Sequence, residues 1–285
     1  MEGLISSDRF QISKPLNKAI ANRLSDEKRL KVIQLYDYRP DDETLANLDK
    51  ILFRKRKDLT LRIYGYSDFW ADAGFLNHLS EVERFDWDSD VFQSFEPLYK
   101  LKKLVHLGFG FRQPQPKIGL GFLKDFNKTL ESLDLQGDYK DLVDTIANLK
   151  LLKSIRFAST KLSGFDFLEN LPIEAFGNYG SRVGSFEYLK NLPSLKKIWI
   201  KANSKIDNID FIEELHNLEE IELLYVSKIR KLPGLTHLKK LKKVLLFECN
   251  RIEDIEEIKQ LEKVAVYASG KMIKGNLYKN EKFNW

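Results

Sequence analysis

Three stretches decide how this chain folds: LKNLPSLKKIWI from Leu189, IEELHNLEEIELL from Ile212 and LTHLKKLKKVLLF from Leu235. Each is an LxxLxxLxxLxL frame, and the equivalent residues Ile198, Ile221 and Val244 recur about every 23 residues. Apolar residues three apart mark a turning, helix-like segment with one buried stripe. The closing alternation marks a short strand with one face inward. A repeat of this size is a supersecondary unit that buries its apolar side only against its neighbours.

The strand phrase extends through most of the chain by its two inward positions. They are Ile33 and Leu35, Leu61 and Ile63, Phe85 and Trp87, Leu107 and Phe109, Leu133 and Leu135, then Ile155 and Phe157. The series continues as Phe176 and Asn178, Ile198 and Ile200, Ile221 and Leu223, Val244 and Leu246, then Val264 and Val266. This frame resembles the leucine-rich repeat family, in its short-period form of roughly 22 residues. The resemblance implies an α/β leucine-rich-repeat solenoid of about 11 repeats. It also implies a parallel sheet on the concave face, helices or turns on the convex face, and a macromolecular ligand held on the concave side.

The repeat region is expected over residues 30–268, with an N-terminal helical cap over 1–29 and a C-terminal cap or tail over 269–285, in a single structural domain. Within the first cap, PLNKAIANRL from Pro15 sets Leu16, Ala19, Ile20 and Leu24 at helical spacing, with proline near the first turn. Between the fourth and fifth units, RQPQPKIGLG over residues 112–121 reads as an outward loop, because its prolines and glycines break regular structure. The family's asparagine ladder falls three residues after the second inward position. Here it is held by Asn203, Cys249 and Thr160, but by Tyr38, Tyr66, Asp90, Arg112, Asp138, Ser181, Val226 and Ser269 elsewhere. An irregular spine follows. Asn178 breaks the apolar pair and needs a partner if buried.

The 47 basic and 42 acidic residues leave a net charge of +5, too mild to argue for nucleic acid. One cysteine excludes an intramolecular disulfide framework. The start, MEGLISSDRFQISKPL, has neither a basic leader nor an apolar run of signal length, and no stretch approaches a membrane span. A cytoplasmic protein without a membrane partner is expected. Four scattered histidines and one cysteine supply no zinc set, and the GFGF and GLG fragments lack the lysine and hydroxyl of a phosphate loop. No catalytic residue, cofactor or metal is expected.

Function is then read from the outward positions of the strands. At the N-terminal end these offer Tyr36 and Tyr64 with Arg62, Arg84, Asp86 and Asp88. In the middle, Gly108, Gly110, Ser132, Gly177 and Gly180 leave space that a partner's loop could enter, or simply relieve crowding on a curved sheet. The C-terminal end joins Arg156, Tyr179, Trp199, Lys201, Glu222, Leu224, Tyr225, Leu245, Phe247 and Tyr267, with Leu224, Leu245 and Phe247 as an exposed apolar patch. Exposed aromatics beside charges suit an interface hot spot. The expected function is a noncatalytic scaffold gripping a protein ligand, as an adaptor or a toxin-neutralising immunity protein. A nucleic-acid-associated protein is the alternative, using basic runs such as RKRK from Arg54 and LKKLKK from Leu238.

Overall fold

The computed structural model describes residues 4–6, 8–65, 68–89, 95–110, 119–252 and 265–269. Two compact units divide the chain, Met1–Leu151 and Leu152–Trp285. The ladder positions Tyr66, Asp90 and Arg112, most of the 112–121 loop, Val264 and the tail from residue 270 onward lie outside the described residues.

The first unit holds β1 (Leu4–Ser6), β2 (Arg9–Ile12), β3 (Val32–Tyr36), β4 (Thr60–Tyr64), β5 (Arg84–Asp88), β6 (His106–Phe109) and β7 (Ser132–Gln136). From β2 onward each strand pairs in parallel with the next in sequence, and Ile33, Leu61, Phe85, Leu107 and Leu133 fall in register. The frame starts one strand earlier than the sequence suggested. Phe10 and Ile12 of β2 are buried and pair with Ile33 and Leu35, while β1 returns antiparallel along β2. This strand was missed because the residues after it carry no LxxL phrase. They form helix α1 (Lys18–Asp26) instead, started by Asn17, whose side chain accepts the Ile20 N–H. Leu24 and Ala21 fill its buried side, whereas Ala19 is exposed. The long gap between Leu35 and Leu61 accommodates α2 (Asp42–Asn47), which widens into a π-helical turn over Leu48–Phe53. A further short helix, α3 (Leu142–Ile146), follows β7.

The second unit holds β8 (Ser154–Ala158), β9 (Ala175–Tyr179), β10 (Lys197–Lys201), β11 (Glu220–Leu224), β12 (Lys243–Phe247) and β13 (Ala265–Ser269), all parallel in sequence order. Short 3-10 turns such as Glu187–Asn191 and Asp210–Glu214 carry the LxxL residues of the return path. The last strand departs from the expected register by two residues. Val244 and Leu246 pair with Val266 and Ala268, so Val266 occupies the first inward position rather than the second. Tyr267 therefore aligns with Leu245, not with Phe247.

Two backbone devices recur within each unit. At the start of a strand, two successive N–H groups donate to one carbonyl of the preceding repeat, as Glu219 and Glu220 do to Lys196. At its end, the next residue adopts a left-handed conformation and donates its N–H to the carbonyl closing the following strand. Ser159, Gly180, Ala202 and Tyr225 all do so. A left-handed backbone strains any residue with a Cβ, so only Gly180 takes this turn freely.

The spine is built as its sequence suggests where the ladder residue is Asn203 or Cys249. Asn203 accepts N–H groups from Lys205 and Ile206 and donates to the Val183 carbonyl, and Cys249 donates to Leu223. Burial raises the Cys249 thiol above its ordinary pKa. Asn178 accepts from the Ser181 hydroxyl at 2.5 Å, but its side-chain nitrogen has no partner among the described residues. No described helix is long and apolar enough to cross a membrane.

Leu218, fully buried beneath β11, tests this register. Leu218→Ala is expected to cost about 2–5 kcal/mol in chemical denaturation, the range for a truncated core leucine. A loss below about 1 kcal/mol would place the residue outside the core.

Candidate interaction face

In the second unit, parallel pairing brings the expected contact residues together as columns. Lys197, Trp199 and Lys201 of β10 align with Ala175, Gly177 and Tyr179 of β9 and with Glu220, Glu222 and Leu224 of β11. Gly177 is the floor of a small aromatic and basic cluster. A Cβ built there would meet Arg156 Cγ at 2.5 Å and Trp199 Cε3 at 3.2 Å, so the arginine stem and the indole both close over the glycine. The Tyr179 ring lies 6.3 Å from the Trp199 ring, and Lys201 Nζ stands 5.3 Å from the Tyr179 centroid, a cation–π arrangement. Beyond β11, Tyr225 packs edge-on against Phe247 at 5.2 Å.

Exposure sorts these residues. Tyr179 is 41% exposed and Tyr225 48%, whereas Trp199, Lys201, Glu222 and Phe247 are half-buried and Arg156 is exposed. Leu224 and Leu245 differ from expectation. Both sit at outward register positions, yet only 2% and 7% of their surfaces are accessible, so no exposed leucine patch is formed. The apolar surface of this face is aromatic. Of Tyr267 only the backbone is described. Lys197 pairs with Glu220 at 2.8 Å and Lys243 with Glu222 at 2.5 Å, which neutralises both carboxylates across neighbouring strands.

The outward face of the first unit is a polar network. Tyr36 stacks on Tyr64 with centroids 5.7 Å apart, and the Arg62 guanidinium lies 4.7 Å from the Tyr64 centroid. Arg62 also pairs with Asp88 and donates to Gln34, which in turn donates to Gln11. Burial outweighs the attraction of Arg62 and holds the Asp88 carboxyl above its ordinary pKa. His106, only 4% exposed, bridges Asp86 and Ser132 at 2.9 Å on each side. Arg62 aligns with Asp86 in register, but its guanidinium engages Asp88, and Asp86 is held by His106.

Gly108 of β6 and Gly110 just after it do not leave open space. A Cβ on Gly108 would sit 2.2 Å from Asp86 Oδ1, and one on Gly110 would sit 1.8 Å from Asp88 Oδ1. These positions are occupied by the carboxylates of β5, and the glycines exist to admit them. Both side chains that need this room are polar and project from the preceding strand, a relation visible in sequence only after register is set.

The basic runs are largely engaged. Arg56 pairs with Asp58 and donates to the Glu27 and Leu30 carbonyls; Lys57 contacts Glu81 and Glu83. Lys57 and Lys103 together depress the Glu81 carboxyl to about 2. In the LKKLKK run, Lys242 pairs with Glu219, Lys243 with Glu222, and Lys240 bonds Asn217. Among the described residues no group of three His, Cys, Asp or Glu side chains is placed to hold a metal.

No family model matches this sequence, and neither does any curated protein. Solved structures do match. An internalin from Listeria monocytogenes superposes with a TM-score of 0.54 at 16% identity, over 93% of this chain and 74% of its own. A leucine-rich repeat protein from Leptospira interrogans gives 0.50 at 15%, over 91% and 88%. A chain of the TLR13–ssRNA13 complex gives 0.54 at 18%, over 91% of this chain but only 38% of its own. This chain has the leucine-rich-repeat fold. The parallel, sequence-ordered strands and the buried LxxL residues are the leucine-rich-repeat signature in physical form, and they are why the outward columns form continuous surfaces within each unit.

The leucine-rich-repeat register predicts unequal costs at two glycines. Gly108→Ala must displace a carboxylate held by His106 and is expected to cost about 1–3 kcal/mol. Gly177→Ala pushes on an exposed arginine stem and is expected to cost less than about 1 kcal/mol. Paired denaturation curves test this contrast.

Proposed function

We propose that this protein is a noncatalytic scaffold that binds a protein ligand on the outward sheet face of its second unit. The observation that carries this reading is the cluster of Arg156, Trp199, Tyr179 and Lys201, continued by Tyr225 and Phe247. Aromatic rings of this kind offer large contact area at small entropic cost, and they stand beside charges that orient a partner. Tyr225 adds a separate argument. It is the most exposed of these rings and holds a left-handed backbone at φ 54°, a turn that Gly180 makes two repeats earlier. A bulky residue kept at a strained position is better explained by contact than by folding.

The fold does not choose between classes of ligand, since the TLR13 structure is named for an RNA complex. The side chains do. The RKRK and LKKLKK runs, which motivated the nucleic-acid reading, spend four of their eight charges on Asp58, Glu81, Glu219 and Glu222. A cytoplasmic adaptor or toxin-neutralising protein is the role that suits this surface and a single buried cysteine.

The test is affinity capture from the native cell with crosslinking, followed by titration of the captured protein. Trp199→Ala and Tyr225→Ala are each expected to weaken binding by about 2 kcal/mol or more while leaving the unfolding midpoint within about 2 °C. Unchanged affinity in both folded variants, or capture of RNA in place of protein, would overturn the reading.

A further inference from the structure

Within the second unit, β9 is built differently from the strands on either side of it. Its sequence, AFGNY, sets Gly177 and Asn178 inside a strand, two residue types that strands disfavour. Asn178 also takes the second inward position, between Phe157 of β8 and Ile200 of β10, and is fully buried. Its Oδ1 accepts from the Ser181 hydroxyl, while its Nδ2 has no partner among the described residues. Turning the amide over would only exchange the bonded end for the orphaned one. The Thr160 hydroxyl, buried at the ladder position of the preceding repeat, has no partner among the described residues either.

The turn after β9 is held less firmly than the turn after β10. Asn203 ties its own turn by accepting from Lys205 and Ile206 and reaches back to the Val183 carbonyl. Ser181, at the same offset after β9, gives its hydroxyl to Asn178 instead. Gly180 precedes it in the left-handed conformation, with the backbone freedom of glycine to regain on opening. The entry half of β9 is anchored. Phe176 is buried there, with its ring 4.9 Å from Phe165 and 5.9 Å from Phe186. The strand is therefore fixed at one end and loose at the other, and the outward residue of the loose half is Tyr179.

We infer that Asn178–Gly180 is a hinge that opens locally, on the timescale of amide exchange, while the rest of the second unit stays folded. Opening removes from the interior an amide with one end unbonded and returns it to water, so it forfeits less than the release of an apolar pair would. Among the bonds it breaks are Gly180 N–H to the Lys201 carbonyl at 2.9 Å and Ser159 N–H to the Tyr179 carbonyl at 2.7 Å. What it moves is the Tyr179 ring, which otherwise stands 6.3 Å from Trp199 and beneath the Lys201 ammonium. Trp199 itself is held by the buried Ile198 and Ile200 on either side of it. The face thus pairs a fixed indole with an adjustable phenol. This inference stands on β9 alone and does not require the protein-binding reading.

Amide exchange followed by NMR on the whole chain tests it, because three repeats offer equivalent reporters. The Gly180, Ala202 and Tyr225 N–H groups each donate to the carbonyl closing the following strand. After correction for intrinsic rates, protection at Gly180 is expected to be roughly tenfold lower than at Ala202 and Tyr225. Asn178→Leu keeps the shape and removes the amide; it is expected to raise protection at Gly180 roughly tenfold and to change the other two by less than about threefold. Should that variant not fold, Thr160→Val replaces the orphaned hydroxyl by a methyl and is expected to raise protection at Gly180 roughly threefold. Equal protection at the three amides of the unaltered chain would overturn the hinge. A lower unfolding midpoint in folded Asn178→Leu and Thr160→Val would overturn it too, by showing that both polar groups are bonded through buried water.

Discussion

In-register parallel pairing of short strands, each with two apolar side chains beneath it, is the constraint on which the rest of this structure depends. A strand of five residues cannot stand alone. It persists because Ile198 and Ile200 are sealed between Phe176 and Asn178 on one side and Ile221 and Leu223 on the other, and because both backbone edges are bonded. The same pairing makes the outward residues neighbours. Core and surface are therefore one arrangement: a two-residue shift would move the buried pair and every contact column together.

That coupling explains what was legible in the sequence. Wherever the LxxLxxLxxLxL frame was complete, as over Leu189–Phe247, the inward residues were read correctly, because apolar period and backbone period coincide. Where the frame thinned, the reading slipped. β2 was hidden because α1 replaces its return phrase, and the last strand was displaced because Val264, Val266 and Ala268 alternate equally well in two registers. Asn203 and Cys249 could be placed from their spacing alone, since side chains bonding a tight turn must sit at a fixed offset.

Surface properties were less legible. Outward position was taken as exposure, yet Leu224 and Leu245 are buried, and Gly108 and Gly110 are covered by Asp86 and Asp88. Alternation says which way a side chain leaves the backbone, not what lies over it. Charge was legible once register was known: lysines at strand starts, such as Lys196 and Lys242, meet glutamates of adjacent repeats.

The central claim is that one face of the second unit, from the Arg156 and Trp199 cluster to the strand-exit edge, is where the ligand sits. Site-specific photo-crosslinking of the captured complex tests it most directly, with a photoreactive residue placed in turn at Arg156, Tyr179, Lys201 and Tyr225, and at Tyr188, Glu214 and Lys239 on the return turns. Crosslinks from the first group alone are the predicted result. Crosslinks concentrated at the return turns would contradict it.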